Sequence, residues 1–276
     1  MILGYSAAQV RAAEAPLLAA GVPLMQRAAA GLAREVRALV GRDDARVVLL
    51  VGTGNNGADA LFAGATLAAG GADVTIVRTG DRVHDGALAA AIGAGAHEAG
   101  PGETAGRETA GRETAGRETA GRETAGRETA GRETAGPAES VRPAETAARA
   151  VGAAPDEIAR LVSSADVVVD GILGTGTSAH PALRGRARAI VAAILEAGGT
   201  TPVVAVDIPS GIHPDDGGVP DPCVLRATVT VTFGGYKAGL LLAPASGYAG
   251  DVRLIDIGLG EQLAAMEPVV RVGQTP

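Results

Sequence analysis

Val47-Val48-Leu49-Leu50-Val51-Gly52-Thr53-Gly54-Asn55-Asn56-Gly57-Ala58-Asp59-Ala60-Leu61 is the stretch around which the rest of the chain is organised. Five consecutive aliphatic residues read as a strand buried on both faces, and the Ala/Leu-rich segment beyond the glycines reads as a helix. Gly52, Gly54 and Gly57 have the G-x-G-x-x-G spacing that lets backbone amides and a helix N-terminus approach a pyrophosphate. In a chain with 41 glycines that spacing is weak evidence by itself. Asn55 and Asn56 with Asp59 behind them add donors and acceptors that a purely structural turn does not require.

Working outward, Ser6 and Gln9 have capping-box spacing, so the chain is expected to open with a helix carrying Val10, Leu17 and Leu18 on one face. A second helix after Pro23 carries Met25, Ala28, Ala29, Leu32, Val36, Leu39 and Val40 as an apolar stripe. Further strands are expected at 73–77, 165–170, 202–207, 227–233 and 251–257, with helices at 84–96 and 183–197. This alternation argues for a parallel sheet with right-handed crossovers. The expected class is α/β, a three-layer αβα Rossmann-like domain with a mostly parallel sheet.

Between 100 and 149 the composition changes: Gly-Arg-Glu-Thr-Ala repeats six times from Gly106 to Ala135, with hardly an apolar residue around it. A five-residue period fits neither helix nor strand, so this stretch is expected to be a disordered insertion in a single domain spanning 1–276. A docking spacer is the functional alternative. About 225 residues remain, enough for one large α/β core.

Net charge is −7, the pI is near 5.2 and aromatics make up 2%, which argues against nucleic acid as a partner. No apolar run is long enough to span a bilayer, so a soluble cytoplasmic protein is expected. The single cysteine, Cys223, beside Pro222, reads as structural.

Polar groups end three of the strands: Asn55-Asn56 after the first, Asp170 before Gly171-Ile172-Leu173-Gly174-Thr175-Gly176-Thr177, and Asp207 with Ser210 in Asp207-Ile208-Pro209-Ser210-Gly211. In an open parallel sheet such ends share one edge, where ligands bind at the topological switch point. An amide, a carboxylate and a hydroxyl suit a hard cation rather than zinc or iron. The histidines, His84, His97, His180 and His213, are scattered, although His180 follows the second glycine turn closely. Lys237 is the one lysine in a chain that otherwise uses arginine.

With these motifs the chain resembles the NAD(P)H-hydrate epimerase family, of the YjeF N-terminal domain type, over nearly everything outside the repeat. The resemblance implies a homodimer that interconverts the R and S forms of hydrated NADH or NADPH, NADHX and NADPHX. It implies that Asn55, Asn56, Gly57, Ala58, Asp59, Gly174, Thr175, Gly176, Thr177, Ser178, Ala179, His180 and Asp207 contact the substrate. It also implies one potassium ion per subunit, held by Asn56, Asp170 and Ser210, and a functional partner in a hydrate dehydratase, a domain that many bacterial members carry and that is here either encoded separately or missing because the sequence is a fragment. Asp207, rigidly held and desolvated at a strand end, is the expected acid/base, with Lys237 next in line. The family turn Asn-Asn-Gly-Gly-Asp-Gly has Ala58 and Ala60 here, which narrows the backbone choices for ligand approach, and Met-Glu-Asn-Ala-Gly is Met25-Gln26-Arg27-Ala28-Ala29. A dehydrogenase is the competing enzyme, but the strand ending Val77-Arg78 offers no ribose-binding acid. A non-catalytic scaffold of the same fold is the competing class.

Overall fold

A computed structural model describes residues 1–100, 152–177 and 179–273. The repeat, and with it the expected disorder, lies outside the described residues, as does Ser178. The elements run β1 Ile2–Tyr5, α1 Ala7–Ala19, α2 Leu24–Val40, β2 Arg46–Val51, α3 Asn55–Ala69, β3 Asp73–Arg78, α4 Asp85–Gly93 and β4 His97–Glu98. They continue with α5 Pro155–Ser164, β5 Val167–Gly171, α6 Gly185–Glu196, β6 Val203–Val206, β7 Val229–Phe233, β8 Tyr236–Lys237, β9 Asp251–Ile255, α7 Gly260–Ala264 and β10 Val270–Val272.

Seven strands form one sheet in the order β4-β3-β2-β5-β6-β7-β9, and every neighbouring pair is parallel. Successive residues of β2 serve opposite faces: Val47, Leu49 and Val51 join the core under α2, α3 and α4, while Val48 and Leu50 join the core under α5 and α6. The sheet is thus covered on both sides, as an all-parallel sheet requires. The order reverses between β2 and β5, whose C-terminal ends lie side by side with Val51 opposite Gly171.

Several short elements were not legible in the sequence. β1 pairs with β10 antiparallel and with β8 parallel, making a second sheet of three strands. α5 begins immediately after the repeat-bearing stretch, with Ile158, Ala159 and Val162 on its buried side. The capping box of Ser6 and Gln9 is present, but Leu18, expected on the buried face of α1, is 57% exposed. α1 turns Val10 and Ala13 inward instead, and Pro16 sits within it.

The glycines of the first turn are set by packing. A Cβ on Gly52 would lie 1.8 Å from the Ile172 carbonyl oxygen, and one on Gly57 would lie 2.2 Å from the Gly52 oxygen, whereas one on Gly54 would meet nothing. Ala58 and Ala60 adopt ordinary helical backbone and bury their methyls in the core, so their effect falls on packing against the sheet and not on the open edge. Accordingly Gly52→Ala and Gly57→Ala should each destabilise the protein by more than about 2 kcal/mol in urea unfolding, and Gly54→Ala by less than about 1 kcal/mol. Equal effects at the three positions would show that backbone overlap is not what selects glycine here.

Candidate active site

The edge formed by the ends of β2, β5 and β6 gathers most of the polar residues singled out in the sequence. α3 starts at Asn55 with Gly54 as N-cap and no side chain satisfying its first amides, so those N–H groups and the positive end of the helix face the open edge. Asn55 is exposed there and Asn56 is turned inward. Asn56 Nδ2 donates to the Leu173 carbonyl at 3.0 Å and the Val206 carbonyl at 2.5 Å, tying α3 to the turns after β5 and β6. Its Oδ1 lies against Gly174, where a Cβ would be 2.1 Å away.

Asp170, 1% exposed, is held by backbone donors: Ile172 N–H reaches Oδ1 at 3.3 Å and Ser210 N–H reaches Oδ2 at 2.9 Å. Among the described residues no basic side chain pairs with it. Burial pushes its carboxyl upward, partly offset by Ser210. Ser210 Oγ accepts from Leu173 N–H at 2.8 Å and lies 3.2 Å from the Leu173 carbonyl. Asn56 Oδ1, the Asp170 carboxyl, Ser210 Oγ and the Leu173 carbonyl offer oxygen donors only, one of them a buried carboxyl without a basic partner among the described residues. That chemistry fits a hard cation of low charge. Among the described residues no group of three His, Cys, Asp or Glu side chains gathers as a metal site.

Asp207 closes β6 with φ of 67°, and among the described residues it alone is a non-glycine at positive φ, a strained conformation that its surroundings must hold. Three donors converge on its Oδ1: Thr232 Oγ1 at 3.1 Å, Phe233 N–H at 3.3 Å and the Lys237 ammonium in a buried ion pair. Lys237 also donates to Thr232 Oγ1 at 3.2 Å and the Phe233 carbonyl at 2.9 Å. Its three N–H protons are therefore all engaged within the protein. Lys237, the next candidate for acid/base, thus stands against Asp207 and helps to hold it in place.

The second glycine turn, Gly174 to His180, carries a short 3₁₀ turn, with Thr177 Oγ1 on the Gly174 carbonyl at 2.8 Å. Gly176, Ala179 and His180 are exposed. The other histidines serve local structure: His84 caps α4, His97 sits beside Asp73 and Thr75, and His213 accepts from the amides of Asp215 and Asp216. Cys223 is buried with its Sγ 3.6 Å from the Arg188 carbonyl, as a structural thiol would be. Arg27, where the family helix carries Asn, donates to the Ile257 carbonyl at 2.8 Å and so braces α2 against the chain beyond β9.

Asp59 is 7% exposed, and its Oδ1 has no hydrogen-bond partner among the described residues. Burial first, then the Asp207 and Glu14 carboxylates, push its carboxyl up to about 8 against the opposing pull of Lys237. Glu14, which sequence reasoning passed over, is raised mainly by burial, with Asp207 adding to the rise and Lys237 and Arg11 opposing it. Nothing in the local pattern of α1 marks it, because its neighbours are supplied by α3, β6 and β8.

These features define a Rossmann-like α/β protein with a ligand site at the switch point of its sheet. The model of the family described as YjeF-related protein N-terminus matches residues 21–107 and 108–239, and the chain belongs to that family. It is 46% identical to an NAD(P)H-hydrate epimerase of Clavibacter sepedonicus, with 98% of this chain and 96% of that protein covered. Identity to an NAD(P)H-hydrate epimerase of Microbacterium testaceum is 38%, over 98% and 84% of the two chains. A bifunctional NAD(P)H-hydrate repair enzyme of Mycobacterium tuberculosis matches at 35%, with 92% of this chain aligned to 41% of that protein. The crystal structure of yeast ynu0 shares the fold with a TM-score of 0.53 at 16% identity, covering 87% of this chain and 82% of the other.

Asp59 yields a stability test. Its native carboxyl titrates near 8 and its unfolded one near 3.8, so between those pH values the folded state binds more protons and Asp59's contribution to stability falls as pH rises. Below about pH 4 that contribution is fully present, and it is lost by pH 8 and above. Asp59→Asn should therefore gain stability relative to wild type by more than about 1 kcal/mol on going from pH 5 to pH 8.5. Parallel pH profiles of the two melting temperatures would contradict a buried neutral carboxyl.

Proposed function

We propose that the chain interconverts the R and S epimers of hydrated NADH or NADPH, with Asp207 as the group that moves the proton. The observation carrying this reading is Asp207 itself: strained, buried, and fixed by three donors at the end of β6, beside the two glycine-rich turns. The names of the near full-length relatives support the same reaction.

The reacting carbon of the hydrate bears a hydroxyl next to the ring nitrogen. When that oxygen is protonated it leaves as water, the nitrogen lone pair forms a C=N bond, and a planar cation remains. Water returning to the opposite face gives up a proton and produces the other epimer. Donors to Asp207 all meet at Oδ1, which leaves Oδ2 for this proton traffic. The free amides at the start of α3 and the exposed Gly176, Ala179 and His180 suit the phosphates of the dinucleotide, with Asn55 to Asp59 as the inner wall.

Potassium is the proposed cation for Asn56, Asp170 and Ser210; bound there it supplies a fixed positive charge that neutralises Asp170. No helix among the described residues is long and apolar enough to cross a membrane. We further propose a homodimeric cytoplasmic enzyme, one folded domain with the 100–149 stretch as an insertion, working together with a hydrate dehydratase. The bifunctional relative motivates that pairing.

Chromatographic separation of the R and S hydrates should show equilibration by the purified protein, and Asp207→Asn, which keeps the shape, should slow it at least about a hundredfold. Full activity in the variant, or a loss of binding equal to the loss of rate, assigns the proton transfer elsewhere. Replacing potassium by a large organic cation should lower the melting temperature of the wild type, and Asp170→Ala should abolish that dependence. A wild type indifferent to the exchange refutes the cation site.

A further inference from the structure

Helix α1 enters the site from outside the parallel sheet. β1 pairs with β8 so that Tyr5 lies opposite Lys237, and α1 begins two residues later at Ala7. Its start is fixed twice, by the Ser6 and Gln9 capping box and by Asp215 Oδ1, which accepts the Ala7 N–H at 2.6 Å. One turn on, Arg11 Nη1 donates to the Thr175 carbonyl at 3.3 Å, which ties the helix to the second glycine turn. Glu14 is three residues beyond Arg11, hence on the same side of the helix.

Glu14 is half-buried, and among the described residues it accepts no hydrogen bond and forms no ion pair. The charged groups that face it are Asp59 from α3, Asp207 from the end of β6, Lys237 from β8 and Arg11 from its own helix. Glu14, Asp59 and Asp207 thus influence one another through space, and the Lys237 ammonium nearby has its protons spent on Asp207, Thr232 and Phe233. Asp59 Oδ1, buried and without a donor, shows that the protein does not satisfy this cluster from within.

We propose that Glu14 is a residue of the active site, and that its carboxylate supplies the negative charge facing the positive ring that exists after the hydroxyl has left. The proposal rests on the epimerase reading for its substrate. A site carboxyl protonates the hydroxyl, the C–O bond breaks and water departs. The ring nitrogen pair closes the C=N bond and the ring carries one positive charge. On return, water adds to the carbon, the C=N pair goes back to nitrogen, and a site carboxylate takes the proton. Glu14 exchanges no proton in this sequence; it acts on the cation through space, where partial desolvation keeps a carboxylate's field strong.

The test uses the full chain with two probes of nearly the same shape, NAD+, whose ring carries the positive charge, and NADH, whose ring does not. Glu14→Gln should weaken NAD+ binding about tenfold while changing NADH binding less than about threefold, lower kcat for hydrate epimerisation about tenfold with KM little changed, and melt within a few degrees of wild type. Glu14→Asp should restore most of both NAD+ binding and kcat. Equal weakening of the two probes, or no change in either, overturns the role of Glu14. A wild type that does not epimerise the hydrates sinks the epimerase reading instead, and the NAD+ to NADH ratio still decides whether Glu14 faces a cationic ring.

Discussion

The buried ion pair between Asp207 and Lys237 links the two sheets. Asp207 ends β6 in the parallel sheet, and Lys237 lies in β8, which pairs with β1 of the smaller sheet. Lys237 is 2% exposed, so its charge is tolerable only because Asp207, Thr232 and Phe233 accept all three of its protons. Removing one partner of such a pair leaves a buried charge uncompensated, at a cost of about 3–5 kcal/mol. The same pair helps to hold Asp207 at a positive φ and ties the end of β6 to β8, the strand that pairs with β1, so strain at the site is sustained by contacts that also join the two sheets.

Two kinds of constraint meet at the β2–β5 edge. One is steric: Gly52, Gly57 and Gly174 are glycine because other protein atoms occupy the space a Cβ would need. The other is electrostatic: Asp170 and Asp59 are buried carboxyls that the protein leaves without a cationic partner. Close packing joins α3 to the turn after β5 and to the end of β6 through Asn56, while the buried Asp170 carboxyl stays without a basic partner among the described residues.

The relation between chain and fold differs by element. Strands β2, β5 and β6 were legible because residues buried on both faces leave aliphatic runs, β3 and β7 because β-branched residues dominate them, and α2 because its stripe repeats at helical spacing. Strands β1, β8 and β10 are two to four residues long and partly exposed, so neither period nor composition separates them from loop. Leu18 fits the stripe expected of α1 but points to solvent, because the face that α1 buries is chosen by its neighbours.

The sequence by itself determined the parallel sheet, the glycine turns and the strand-end groups Asn56, Asp170, Asp207 and Ser210, because each depends on residues adjacent in the chain. Only the tertiary structure decided that Lys237 is spent on Asp207, that Asp59 is buried without a donor, and that Glu14 stands at the site. Those facts depend on distances between β6, β8, α1 and α3, elements up to more than two hundred residues apart, and on solvent exclusion, a property of the packed whole.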